Sequence, residues 1–162
     1  NYDRQTKYAL PINPSPNLPN SIAISLYPSL CFFEGTNVSV GRGTDIPFQH
    51  FGAPYLQTDY SFTPKSGPGS KYPKYQNQKC FGKNLTMENT LDYINLDYLI
   101  YAFQNCLDKD DFFNNFFAKL AGGNNLRDQI ISGNSANEIR QSWQKGLQEF
   151  NEMREPYLLY SL

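Results

Sequence analysis

The sequence predicts an α+β fold, a small and mainly antiparallel sheet packed by helices, with a helix-rich C-terminal half. Two observations carry this reading. Ten of the eleven prolines lie within residues 1–73. Proline removes a backbone donor and turns the preceding residue away from helix, so the first half is extended and turn-rich. Beyond Leu96 the apolar residues change to helical spacing. At 162 residues the chain is about one domain's worth, and residues 1–162 read as a single domain able to bury a core without metal or disulfide staples.

The elements follow in order. Pro11, Pro14, Pro16 and Pro19 make the entry a stiff connector laid over a surface. Ser21 to Tyr27 and Leu30 to Phe33 read as short strands, Phe48 to Phe51 as a weaker one. Lys79 to Met87 is a further strand, with Phe81, Leu85 and Met87 on one parity. Leu96, Leu99, Ile100, Phe103 and Leu107 mark an amphipathic helix. Asp110 to Leu120 repeats an aromatic pattern and stops at Gly122-Gly123, a frequent helix end. Leu126 to Ser132 is a short helix closed by Gly133. Ser135-Ala136-Asn137-Glu138 is a capping box opening a long helix striped by Ile139, Trp143, Leu147 and Phe150. Tyr157 to Tyr160 closes the chain as an apolar strand or tail. Phenylalanines and a tryptophan at helical spacing belong to a core rather than to a stacking surface.

Composition excludes several classes. Net charge is −1, without the basic excess of a nucleic-acid binder. With 40% hydrophobic and 18% charged residues, the chain is not a disordered tail. No apolar run approaches the roughly 20 residues of a membrane span. The opening Asn1-Tyr2-Asp3-Arg4 has neither an initiator Met nor a signal-peptide pattern and reads as cut from a longer protein. Cys31, Cys80 and Cys106 form no CxxC pair, and His50 is the lone histidine, so no zinc set is indicated. A Cys31–Cys80 bridge stands as an alternative to buried, hydrophobe-like thiols. His50, without a serine or cysteine partner in the pattern, reads as structural.

The polar segment that stands out is Glu34-Gly35-Thr36-Asn37-Val38-Ser39-Val40-Gly41-Arg42-Gly43-Thr44, placed after an apolar strand. Arg42 between two glycines is a planar five-donor fork on a slim backbone, suited to gripping a carboxylate. Thr36, Asn37, Ser39 and Thr44 add short hydrogen-bonding groups of the kind that line sugar sites. The plain alternative is that Glu34 and Arg42 pair and tie down a loop. Tyr60 to Met87 carries five lysines, Lys65, Lys71, Lys74, Lys79 and Lys83, and no acid, interleaved with aromatics. That stretch is either a binding face or a solvated loop. The acids from Asp108 to Asp111 read as a helix boundary.

The glycine-framed segment resembles the NamZ (YbbC) family of exo-acting β-N-acetylmuramidases of peptidoglycan recycling, formerly a domain of unknown function. The resemblance also takes in Ser15-Pro16-Asn17-Leu18-Pro19, Tyr27-Pro28, Pro47-Phe48, Gly52-Ala53-Pro54 and Ser70-Lys71-Tyr72. It continues through Cys80-Phe81-Gly82, Lys119 to Gly122, Ile139, Ser142-Trp143 and Tyr157 to Tyr160, over essentially the whole chain. Many relatives have Glu where Val40 and Gln49 stand, and neither position is given a catalytic role.

The resemblance implies the C-terminal domain of a two-domain enzyme whose Rossmann-like N-terminal domain is absent from this chain, with the active site between them. It implies release of terminal N-acetylmuramic acid from the non-reducing end of β-1,4-linked peptidoglycan fragments. Glycoside cleavage commonly uses two carboxyl groups; Glu34 is then the catalytic candidate, and Arg42 the anchor for the lactyl carboxylate. Thr36, Asn37, Ser39 and Thr44 would position the sugar. No motif indicates a metal or nucleotide cofactor. A peptidoglycan substrate implies an exported bacterial protein, which makes the sequons at Asn37 and Asn84 incidental. The rival reading is a non-catalytic carbohydrate-binding or interaction module docked on a partner domain.

Overall fold

Asn20 starts the first helix. Its side chain accepts from the Ala23 amide at 2.9 Å, and α1 runs Ser21–Leu30 before tightening into a 3-10 turn, Cys31–Gly35. The computed structural model describes residues 6, 8–89 and 91–159. The strands expected at Ser21 to Tyr27 and Leu30 to Phe33 are therefore helical. Ala23, Leu26 and Leu30 recur at helical spacing and face the core, and this burial outweighs the β-branched Ile22 and Ile24. Glu34 accordingly sits on a 3-10 turn, not at the end of a strand.

The sheet comprises β1 (His50–Ala53), β2 (Tyr60–Phe62) and β3 (Cys80–Asn84), ordered β1-β3-β2 with both pairings antiparallel. In register, His50 faces Asn84, Ala53 faces Phe81, and Phe62 faces Cys80. The strand expected at Phe48 to Phe51 starts two residues late, because Phe48 takes a left-handed φ of 55°. The strand expected to Met87 ends at Asn84, whose side chain accepts from the Thr86 amide and hydroxyl at 2.9 and 2.7 Å. Met87 is thus solvent-exposed, and within β3 Cys80 and Gly82, not Phe81, are the buried positions.

Residues 36–40 run beside this sheet as an extended filament. Ser39 and Gly52 exchange both backbone hydrogen bonds, at 2.8 and 2.9 Å. On the other side, the Asn37 amide reaches the Phe112 carbonyl and the Asn114 amide reaches the Gly35 carbonyl, each at 2.9 Å. That pairing holds residues 112–114 extended, so the helix expected from Asp110 shrinks to α3 (Phe117–Ala121). The Asp108 carboxylate accepts from the Asp110 and Asp111 amides within a turn, instead of opening a helix.

The remaining helices are α2 (Asp97–Gln104), α4 (Asn125–Ile131), α5 (Ala136–Ser142) and α6 (Gln144–Arg154). Leu107 lies beyond the end of α2 and is exposed. The Ser135–Glu138 capping box is present in both directions. The long helix it was expected to open is divided at Trp143, whose amide turns to the carbonyls of Arg140 and Gln141. Only the first half of its stripe is used: Ile139 is buried, whereas Leu147 and Phe150 are exposed. Glu155–Tyr157 is a 3-10 turn, Leu158 and Leu159 follow as a tail and not a strand, and Tyr160 lies outside the described residues.

The core joins α1, the sheet and the helical half through Phe33 stacked on Phe51 at 4.8 Å, with Leu26, Leu99, Phe112 and Ile139 around them. The phenylalanines assigned to the core are there at Phe112 and Phe117, while Phe116 is exposed. All three cysteines are free, so the Cys31–Cys80 bridge is absent. Among the described residues no helix is long and apolar enough to cross a membrane.

Candidate active site

The turn at Cys31–Gly35 and the filament behind it deliver Glu34 and Arg42 to one place. Gly41 and Gly43, on either side of Arg42, have φ of 72° and 83°. A Cβ on Gly41 would fall on the His50 ring, and one on Gly43 would strike the Lys65 carbonyl. Glycine is therefore required at both, and the loop turns Arg42 back over the turn. Its Nη2 donates to Glu34 Oε1, and its guanidinium lies over the Phe48 ring at 5.3 Å. Both side chains stay partly open to solvent, 39% for Arg42 and 24% for Glu34.

Glu34, Arg42, Ser39 and Lys74 line one cleft of about 250 Å³, with Ser70, Tyr72 and Pro73 forming its other edge. Lys74 is the cleft-lining residue that the sequence left among five undistinguished lysines. Its stem is exposed, but the ammonium turns inward and donates to the carbonyls of Phe33 at 3.3 Å, Val38 at 3.0 Å, and Thr36. Burial pushes the Lys74 pKa down to about 8, partly opposed by the Glu34 carboxylate. No local signal marks it, because its partners lie 36 to 41 residues away. The neighbouring lysines sit over aromatic rings, Lys71 on Tyr72 at 5.5 Å, Lys79 on Phe81 at 5.1 Å and Lys83 on Tyr101 at 3.7 Å.

The short polar side chains divide differently. Thr36 is 1% exposed; its hydroxyl donates to the Phe33 carbonyl and accepts from the Val38 amide. Asn37 accepts from the Tyr55 hydroxyl at 2.6 Å, and its carbonyl accepts from Tyr75 at 2.5 Å. Burial raises the pKa of both tyrosines, Tyr75 to about 12, so they remain neutral donors. Ser39 lines the cleft, although its hydroxyl already accepts from the Gly41 amide at 3.2 Å. Thr44 lines a separate hollow and serves His50 instead. Glu34, Arg42 and Ser39 thus meet at the cleft, while Thr36, Asn37 and Thr44 build the loop behind it.

A larger hollow of about 880 Å³ lies among α3, α4 and the α5–α6 junction, lined by one charged side chain, Asp128. The smaller cleft holds two cations beside a carboxylate, the equipment for polar chemistry on a charged substrate. Among the described residues there is no group of three or more His, Cys, Asp or Glu placed to hold a metal ion.

Comparison with known proteins finds relatives of the chain as a whole. The peptidoglycan β-N-acetylmuramidase NamZ of Bacillus subtilis (strain 168) is 31% identical over 91% of this chain and 40% of its own length. A crystal structure of a DUF1343 family protein from Bacteroides fragilis NCTC 9343 superposes with a TM-score of 0.93 at 50% identity, covering 99% of this chain and 47% of that one. A second DUF1343 protein from that organism shares the fold, with a TM-score of 0.74 at 18% identity over 99% and 49% of the two chains. The chain spans less than half the length of each of these relatives. The family model "Exo-beta-N-acetylmuramidase NamZ, C-terminal" matches residues 25–160, and the chain belongs to that family of C-terminal domains.

Proposed function

We propose that this chain forms one wall of the active-site cleft of an exo-acting β-N-acetylmuramidase, the other wall being a Rossmann-like N-terminal domain of the same protein. The reaction is release of terminal N-acetylmuramic acid from the non-reducing end of β-1,4-linked peptidoglycan fragments. Family membership and the Bacillus subtilis relative support the chemistry. The observation that carries the site is the open cleft in which Glu34, Arg42 and Lys74 converge. At about 250 Å³ it is smaller than the roughly 300–1,000 Å³ of a complete ligand pocket, as suits half of a shared site.

Each residue then has a role. Arg42 engages Glu34 through one Nη2 donor, which leaves the rest of its fork for the lactyl carboxylate. Glu34 commits Oε1 to that pair, which leaves its second oxygen for proton transfer or for a sugar hydroxyl. Ser39 borders the sugar, and the exposed Tyr72 offers a stacking face at the rim. Thr36, Asn37 and Thr44 act by holding the loop. Lys74 fixes the turn that carries Glu34. On this reading the protein is exported and acts outside the cytoplasm, where peptidoglycan lies.

The test is kinetic and uses the two-domain enzyme. Glu34→Gln is expected to lower kcat by about 10²–10⁴ with little change in KM. Arg42→Ala is expected to raise KM about tenfold, the loss of a charge-assisted hydrogen bond. Unchanged turnover removes Glu34 from catalysis; an unchanged KM removes the carboxylate clamp. Isothermal titration of the 162-residue chain with a muramic-acid disaccharide separates the shared cleft from a free-standing binding module. The shared cleft predicts that Arg42→Ala leaves the titration of the 162-residue chain unchanged and weakens binding only once the N-terminal domain is added.

A further inference from the structure

The hollow of about 880 Å³ shares no lining residue with the Glu34 cleft and plays no part in the chemistry above. Its volume falls within the roughly 300–1,000 Å³ of small-molecule sites. Trp143, at the α5–α6 junction, is half-buried against the core and lines one side. The exposed Asn125 and Ser132 and the half-buried Asn134 also line it, and among the described residues their side chains make no hydrogen bond to another protein group. Gln129 and Ser142 are committed to each other at 2.9 Å. The one charged lining group is Asp128, whose Oδ1 accepts from Arg127 Nε at 3.1 Å.

An indole beside uncommitted amides and a hydroxyl suits a ligand with an apolar face and a hydroxyl- and amide-bearing edge. A carboxylate finds no cation among the described lining residues, whose one charged group, Asp128, is already paired with Arg127. We propose that this hollow is a second saccharide site, binding neutral N-acetylated sugar units apart from the anionic sugar assigned to the cleft. The choice of an N-acetylated sugar among neutral ligands rests on the peptidoglycan reading; the site itself rests on the hollow.

Trp143 is the sole tryptophan of the chain, so its fluorescence reports on this hollow directly. The experiment titrates the 162-residue chain with chitobiose, then with N-acetylglucosamine and N-acetylmuramic acid, which differ by the lactyl group. Chitobiose is expected to give a saturable change in emission. Asn125→Ala and Asn134→Ala, checked for folding by circular dichroism, are each expected to raise its Kd about two- to tenfold. N-acetylmuramic acid is expected to bind more weakly than N-acetylglucosamine. A flat titration at roughly millimolar sugar, unchanged Kd values in both variants, or equal binding of the acidic sugar would overturn the proposal. Failure here leaves the Glu34 and Arg42 kinetics standing, and failure of those kinetics leaves the Trp143 titration intact.

Discussion

His50 is a buried base with no room for a second proton. It is 1% exposed and stacks on Phe62 at 4.0 Å. The Thr44 hydroxyl donates to the Gly41 carbonyl at 2.7 Å, so it accepts from Nε2–H at 2.9 Å. Nδ1 then accepts from the Tyr60 hydroxyl at 2.6 Å. Burial lowers the pKa from 6.5 to about 4, partly opposed by the Gly41 carbonyl. The sign follows from the unfolded chain, which takes up a proton below about pH 6.5 while the folded ring stays neutral down to about 4. Stability from this group is complete above pH 6.5 and is lost progressively as pH falls to 4, about 3 kcal/mol in all. Urea unfolding between pH 7 and pH 4 should show that fall, and His50→Gln should flatten it. An equal slope in the variant would assign the acid sensitivity to other groups.

At the scale of elements, the cleft depends on two segments far apart in sequence. Lys74 brings its ammonium to the carbonyls of Phe33, Thr36 and Val38, joining the 70–74 loop to the turn that carries Glu34. Lys74→Met keeps the apolar stem and removes the donors; it should cost about 1–3 kcal/mol in urea unfolding and lower kcat in the two-domain enzyme. A variant of unchanged stability and turnover would show that the clamp carries no energy. What the sequence made legible here was local. The capping box and the stops at Gly122 and Gly133 depend on near neighbours in the chain, and the glycine frame around Arg42 shows as a pattern although its cause, the crowding by His50 and Lys65, is distant. What it hid depends on distant partners. Ile22 and Ile24 alternate like a strand until Asn20 caps the helix and Leu26 and Leu30 find the core. Residues 112–114 lose their helix to the filament at Gly35 and Asn37. Thr36, Ser39 and Thr44 are alike in type, and only the folded loop separates the one that borders the cleft from the two that brace it.

Across the whole molecule, near-neutral charge conceals a division of labour between two hollows. The net charge is −1, yet the cleft is lined by Arg42 and Lys74 against the single carboxylate of Glu34. Among the described residues the Trp143 hollow has no cation on its lining. The two should therefore respond differently to salt. Raising ionic strength from about 0.1 M to about 1 M shortens the Debye length from about 10 Å to about 3 Å. Arg42 is 39% exposed, so its pull on a lactyl carboxylate is screened in the manner of a surface ion pair, worth about 0.2–1 kcal/mol. KM for muramic-acid-terminated fragments in the two-domain enzyme should rise about two- to fivefold over that range. The Kd of chitobiose read from Trp143 emission should stay constant, because no charge is paired on binding. Parallel salt dependence at both sites would deny the neutral character of the second hollow. A salt-independent KM would mean that Arg42 remains committed to Glu34 when the sugar is bound.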